Sequence, residues 1–170
     1  MKLTRQWPKH PLVWRAYLRF LFDQREFHRS SGVLRQALGR LHRSEHVALI
    51  QAHAQLEFEL GDPERGRTSF ENVLSNFPKR SDVWSSYLDV EIKRLKKLQQ
   101  QSKKNSKAAQ QVLLIRQLFE RVVSMKFGAR GMKSLFKKFL SFEQEHGTED
   151  TELAVQQRAK EYVLSKTVST

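Results

Sequence analysis

The chain has 170 residues, 39% of them hydrophobic and 10% aromatic, which suits one moderate domain with its own core. It holds no cysteine, which excludes a disulfide framework and thiolate metal sites. Its net charge is +13, and residues 93–138 alone carry all of it, with 14 Lys and Arg against the single acid Glu120.

So concentrated an excess implies an acidic partner, of which RNA is the commonest. A solvated lysine-rich segment, or contact with an acidic protein surface, gives the same composition. No apolar run approaches the roughly 20 residues of a membrane span. The opening MKLTRQWPKHP lacks the apolar stretch of a signal peptide. Neither a membrane nor a small-molecule substrate is expected as a partner. Only 4 Pro and 7 Gly, with no alternating β-branched runs, argue for an all-α protein.

Residues 1–10 read as the end of a preceding repeat or as a loose tail. Trp7-Pro8 precedes Trp14 as Phe77-Pro78 precedes Trp84, with six residues from Pro to Trp in both cases. The helical stack is therefore expected to continue towards the N-terminus. A helix near 11–24 pairs with one near 27–40, where Phe27, Val33, Leu34, Ala37 and Leu38 point to the core. Gly32 weakens that helix by up to about 1 kcal/mol relative to Ala, and close helix approach is the expected compensation.

A second pair spans about 44–60 and 64–77. Gly61-Asp62-Pro63 supplies its turn: a helix stop, a cap and a first-turn proline. Phe70, Val73, Leu74 and Phe77 form one apolar face until Pro78, which has no amide hydrogen to donate, ends the helix. Ser81 or Asp82 can cap the next helix, opened by Val83, Trp84, Tyr87, Leu88 and Glu91. This third pair runs long, through KRLKKLQQQSKKNSKAAQQ at 93–111, which holds a basic insertion at about 96–111. Two readings fit: helices that overshoot with a mobile tip around Ser102–Ser106, or a disordered tract over roughly 98–108. A fourth pair covers about 130–146 and 149–165, with Phe136, Leu140, Phe142, Leu153, Ala159, Tyr162 and Val163 as its core. Residues 167–170 read as a frayed tail.

The pairs repeat. Trp84, Tyr87, Val90 and Glu91 match Ile50, His53, Leu56 and Glu57 at a spacing of 34 residues, and Phe136, Phe139, Phe142 and Glu143 at 52. Trp14, Tyr17, Phe20 and Leu21 fill the same slots. Arg67 with Phe70 and Arg116 with Phe119 mark the second helix of two repeats. A period near 34 with two helices per unit indicates an α-solenoid, here a right-handed one of about four antiparallel helix pairs over 11–166.

Trp-x-x-Tyr-x-x-apolar-Glu, followed by Arg-x-x-Phe-Glu and a proline, resembles the half-a-TPR (HAT) repeat. More closely, FENVLSNFPKRSDVW and FEQEHGTE resemble the C-terminal HAT region of the ribosomal RNA-processing protein five family, called programmed cell death protein eleven in animals. The resemblance covers roughly residues 10–165 and implies a non-catalytic scaffold module of a nucleolar ribosome-assembly factor. Its implied partners are pre-ribosomal RNA and assembly proteins of the small-subunit processome type, with S1 RNA-binding domains expected N-terminal to it. The insertion departs from the family, where this connection is short. HAT scaffolds of splicing or messenger-RNA 3′-end processing, and a generic helical adaptor, are the alternatives.

The chain carries no Walker loop, nucleophile elbow or dinucleotide fingerprint, so neither an enzyme nor a cofactor is expected. His42 and His46, four apart, suggest a metal site only weakly. The recurring Glu57, Glu91 and Glu143, with Arg67 and Arg116, read as architecture, with Glu57–Arg67 and Glu91–Arg116 expected to pair within repeats. The aromatic ladder Trp14, Tyr17, Trp84, Tyr87, Phe136 and Phe139 invites a reading as an RNA-stacking platform, but its core spacing favours burial. The candidate phosphate contacts are Lys93, Arg94, Lys96, Lys97, Lys103, Lys104 and Lys107, and a second group of Lys126, Arg130, Lys133, Lys137 and Lys138. KRLKK at 93–97 also has the look of a short nuclear-localisation signal.

Overall fold

The computed structural model describes residues 2–101 and 106–167. Among them the regular structure is α-helical apart from one 3-10 turn, and no helix is long and apolar enough to cross a membrane. The helices are α1 (Lys2–Gln6), α2 (Pro11–Asp23), α3 (Phe27–Leu38), α4 (His46–Leu60), α5 (Pro63–Asn76), α6 (Ser81–Gln101), α7 (Ser106–Ser124), α8 (Ala129–His146) and α9 (Glu149–Thr167), with the 3-10 turn Arg43–Glu45 before α4. The expected boundaries hold to within a few residues. Helix extends to Gln101 and resumes at Ser106, which favours overshooting helices over a tract disordered from 98 to 108. Lys103, Lys104 and most of the expected tip lie outside the described residues, as does the end of the tail.

By its contacts the chain divides into two compact units, Met1–Val90 and Glu91–Thr170. In the first unit, α2 packs on α3 and α4, and α4 on α5. The α2/α3 core gathers Trp14, Leu18, Leu21, Phe22, Val33 and Ala37, with Tyr17, Phe27, Leu34 and Leu38 partly buried against it. Between α5 and α6, Phe70 and Tyr87 stack with ring centroids 4.9 Å apart and planes within 6°. In the second unit α8 packs on both α7 and α9, and the equivalent stack is Phe119 on Phe139 at 4.5 Å and 3°. Connections of two to four residues between α2 and α3, α4 and α5, α7 and α8, and α8 and α9 make each pair antiparallel.

Local chemistry explains the turns. Asp62 caps α5 by accepting from the Glu64 amide at 3.0 Å, and Pro63 sits in its first turn. Trp14 and Trp84 each donate their indole N–H to the carbonyl of the proline six residues back, Pro8 at 2.8 Å and Pro78 at 2.9 Å. The matched Pro-to-Trp spacing is thus the same hydrogen-bonded corner built twice.

Some expectations need correction. Phe77 is 51% exposed because the chain has left the helix at that point, and Trp7, its counterpart, is 55% exposed. Leu153 and Val163 are also exposed, and Val155 is a buried residue of α9. A methyl on Gly32 would meet nothing within 4 Å, so Gly32 serves no close approach. Gly66 does: a methyl there would lie 3.0 Å from the Ala54 carbonyl of α4. Gly61 has φ −111°, so it is required for space rather than for a left-handed turn. A methyl on it would lie 2.9 Å from the Phe22 ring and against the Glu57 carboxylate.

Candidate nucleic-acid interface

The candidate contacts depend on how α6, α7 and α8 are tied together in the second unit. Glu91 is fully buried, and Gln111 of α7 donates to its carboxylate at 2.5 Å and to its backbone carbonyl at 3.2 Å. Leu95 and Ile115 are buried as well. This anchoring leaves Lys93, Lys96 and Lys97 of α6, and Lys107 of α7, on exposed positions. Arg94 is turned partly inwards, and its buried Nε has no hydrogen-bond partner.

The second group divides. Lys137 and Lys138 of α8 meet Lys96 of α6 in a notch of about 370 Å³ that also includes Ser134, Ser141 and Glu145. Glu145 pairs with Lys96 at 3.7 Å. Lys133 and Lys137 line a different groove, between α8 and α9. Lys126 and Arg130 are exposed at the α7–α8 turn, with Lys126 in a left-handed conformation at φ 51°. The notch therefore joins part of each predicted group. Three cations beside two hydroxyls can hold phosphate oxygens by charge and hydrogen bonds, without reading bases.

Four of the six rings of the aromatic ladder are too buried for base stacking. Trp14, Trp84, Tyr87 and Phe139 are at most 5% exposed, while Tyr17 and Phe136 are half-buried.

The recurring glutamates are buried at 1% for Glu57, 0% for Glu91 and 3% for Glu143, but each is satisfied differently. Glu143 accepts a bidentate pair from Arg116, both bonds 2.8 Å. Burial pushes its pKa up, but the Arg116 bonds and a Thr151 hydroxyl outweigh that and leave it lowered. Glu57 accepts the Asp62 amide at 3.0 Å, and its other oxygen has no hydrogen-bond partner. Burial raises its pKa. The expected Glu91–Arg116 and Glu57–Arg67 pairs are thus replaced. Arg116 turns to the next helix, and Arg67 pairs with Glu64 and lies 5.9 Å from the Phe58 ring.

One cluster was not anticipated. Ser30, His53 and Glu57 are all buried, with His53 Nε2 3.0 Å from the Ser30 hydroxyl and 3.9 Å from Glu57. Both neighbours address the same ring nitrogen, and Nδ1 has no partner. An acyl-transfer relay uses the two nitrogens separately, so this geometry does not form one. Burial lowers the His53 pKa to about 4, with Arg65 adding to the effect. The 23-residue separation of Ser30 and His53 left no local sequence signal for the cluster. His42 bonds Ser44 and His46 bonds the Leu41 carbonyl, so each histidine serves its own turn.

The fold and the repeated corners define a protein of the helical-repeat class. No protein-family model matches the chain. It is 39% identical to mouse Protein RRP5 homolog over 165 residues, 97% of the chain and 8% of that protein. With the rRNA biogenesis protein rrp5 of Schizosaccharomyces pombe the identity is 37% over 153 residues, 90% of the chain and 8% of that protein. A more distant similarity, 31% over 84 residues, links 45% of the chain to 12% of the pre-mRNA-splicing factor CLF1 of Paracoccidioides brasiliensis. The chain is a homologue of one short segment of the RRP5 proteins, as its HAT-like motifs imply.

Proposed function

We propose that the chain is a non-catalytic scaffold module of an RRP5-type ribosome-assembly factor, acting in ribosomal RNA processing. The observation that carries this reading is the similarity over most of the chain to segments of RRP5 proteins, two of them named for rRNA biogenesis. The finer reading follows from the repeats. Residues 11–166 form about four HAT-type pairs coiling as a right-handed solenoid, with the basic insertion at about 96–111 and 1–10 as the end of a preceding repeat or a loose tail. The module is the C-terminal part of a nucleolar protein whose S1 domains lie N-terminal to it. It works on small-subunit precursor RNA beside other assembly proteins.

RNA contact is assigned to Lys93, Lys96, Lys97 and Lys107 with the Lys96–Lys137–Lys138 notch, where charge is concentrated and exposed. The test is salt-dependent binding of the chain to a structured precursor-rRNA fragment. The intact protein is compared with one whose residues 96–107 are a Gly/Ser linker, and with the Gln variant of Lys93, Lys96, Lys97 and Lys107. Losing four phosphate contacts should flatten the log–log salt slope by roughly 3. An unchanged slope in both variants would overturn the RNA assignment and leave a protein-binding scaffold. The similarity to CLF1 supports a second reading, a messenger-RNA splicing scaffold.

A further inference from the structure

The groove between α8 and α9 is unlike the rest of the basic surface. It encloses about 710 Å³, and its floor is apolar: Phe136 and Leu140 from α8, Val155, Ala159 and Val163 from α9. Tyr162 forms one wall, its ring 6.0 Å from Phe136, and is fixed there by donating its hydroxyl to the Phe127 carbonyl at 2.9 Å. Among the lining residues only Lys133 and Lys137 are charged. They stand one turn apart on a single face of α8 and are exposed.

We propose that this groove docks an amphipathic helix of a protein partner, with an apolar face for the floor and acidic residues along one flank. Charge complementarity selects the acidic flank, because the rim offers two cations and no anion. The dimensions select a helix. The α8 lining runs from Ala129 to Leu140, which at about 1.5 Å per residue is roughly 16 Å, or three helical turns. That length takes apolar anchors at i, i+3, i+4 and i+7. Ala159 keeps the floor deep enough for one such anchor, and exposed Val163, at 60%, gains a neighbour only when the groove is filled. A phosphodiester strand would satisfy the two lysines but leave the apolar floor uncovered. The inference goes beyond the RNA-processing reading and does not depend on it.

The test uses the 170-residue chain and a fluorescein-labelled designed helix of about 14 residues with Leu anchors and a Glu flank. A second peptide keeps the anchors and carries Lys on that flank. The Glu peptide should bind, and the Lys133→Glu, Lys137→Glu double variant should weaken it by at least roughly tenfold and favour the Lys peptide instead. Val163→Lys, at an exposed position that leaves the helical circular dichroism unchanged, should also weaken the Glu peptide. Equal binding of both peptides by the parent chain would overturn the proposal, as would indifference of the Glu peptide to all three substitutions. So would a short RNA that displaces the peptide and itself loses affinity in Lys133→Glu alone, which would give the groove lysine that lies outside the notch to RNA. None of these results bears on the salt-slope test, whose variants keep Lys133 and Lys137.

Discussion

Arg116 of α7 holds Glu143 of α8 through two parallel bonds of 2.8 Å, and its terminal nitrogen also reaches the His146 carbonyl at 3.3 Å. The Glu143 side chain is 2% exposed and the Arg116 side chain 30%. Removing the cation strands a charge that cannot be hydrated. Arg116→Met should therefore cost about 2 kcal/mol, less than for a fully buried pair because the arginine is partly solvated. Adding Glu143→Gln should recover part of that loss. Urea denaturation of the four proteins of this cycle gives the coupling, expected to be at least about 1 kcal/mol.

That pair also marks where sequence reading stops. Glu91 and Glu143 occupy the same repeat slot, and nothing in their spacing tells which of them Arg116 faces. The choice depends on how α7 is rotated about its axis once Ile115, Leu118 and Phe119 are buried. Turns were legible because each rests on local chemistry: Pro63 and Asp62, or Pro78 and Trp84, signal within a few residues. Leu153 and Val163 depart from the expected core because α9 lacks a clean apolar stripe, and Val155 takes a buried place instead. The notch at Lys96, Lys137 and Lys138 joins residues about 40 apart in sequence, so only tertiary packing could reveal it.

Acid should act on the two units at different thresholds. His53 falls from 6.5 to about 4 in the folded state, so the unfolded chain binds more protons between those values. The contribution of His53 to the first unit should then be full above pH 6.5 and be lost as the pH drops towards 4, by about 3 kcal/mol over the window, with the raised Glu57 acting in the opposite sense. His53→Gln should remove that slope, including in a Glu57→Gln background that eliminates the opposing carboxylate. The Glu143 contribution is present above its ordinary value of 4.5 and is lost only at lower pH, as its lowered folded pKa is reached. Melting curves from pH 7.5 to 3, each with its parent, check both.

Two glycines should respond oppositely to a methyl group. Gly147→Ala places a carbon 2.6 Å from the Glu143 carbonyl, against that residue's carboxylate and the Thr151 hydroxyl. It should destabilise by about 2 kcal/mol or more, because the buried pair must move. Gly32→Ala meets nothing within 4 Å in mid-helix and should stabilise by about 0.5–1 kcal/mol. Thermal denaturation of both variants decides it.

Of the three tryptophans, two should have protected indole protons. Trp14 and Trp84 donate to Pro8 and Pro78, while Trp7 is 55% exposed. Hydrogen exchange followed by NMR should show two slow indole signals and one fast. Trp14→Phe and Trp84→Phe should each cost about 2 kcal/mol, the bond and the lost ring volume together. A much smaller loss at either site would mean that its corner is held by packing alone.

The Trp–Pro corner closes over six residues. Little chain entropy is lost in forming so small a loop, so each corner can assemble before any distant part of the chain arrives. The Pro78–Trp84 corner is then a natural nucleus, committing the helices on either side to their crossing during synthesis, one repeat at a time.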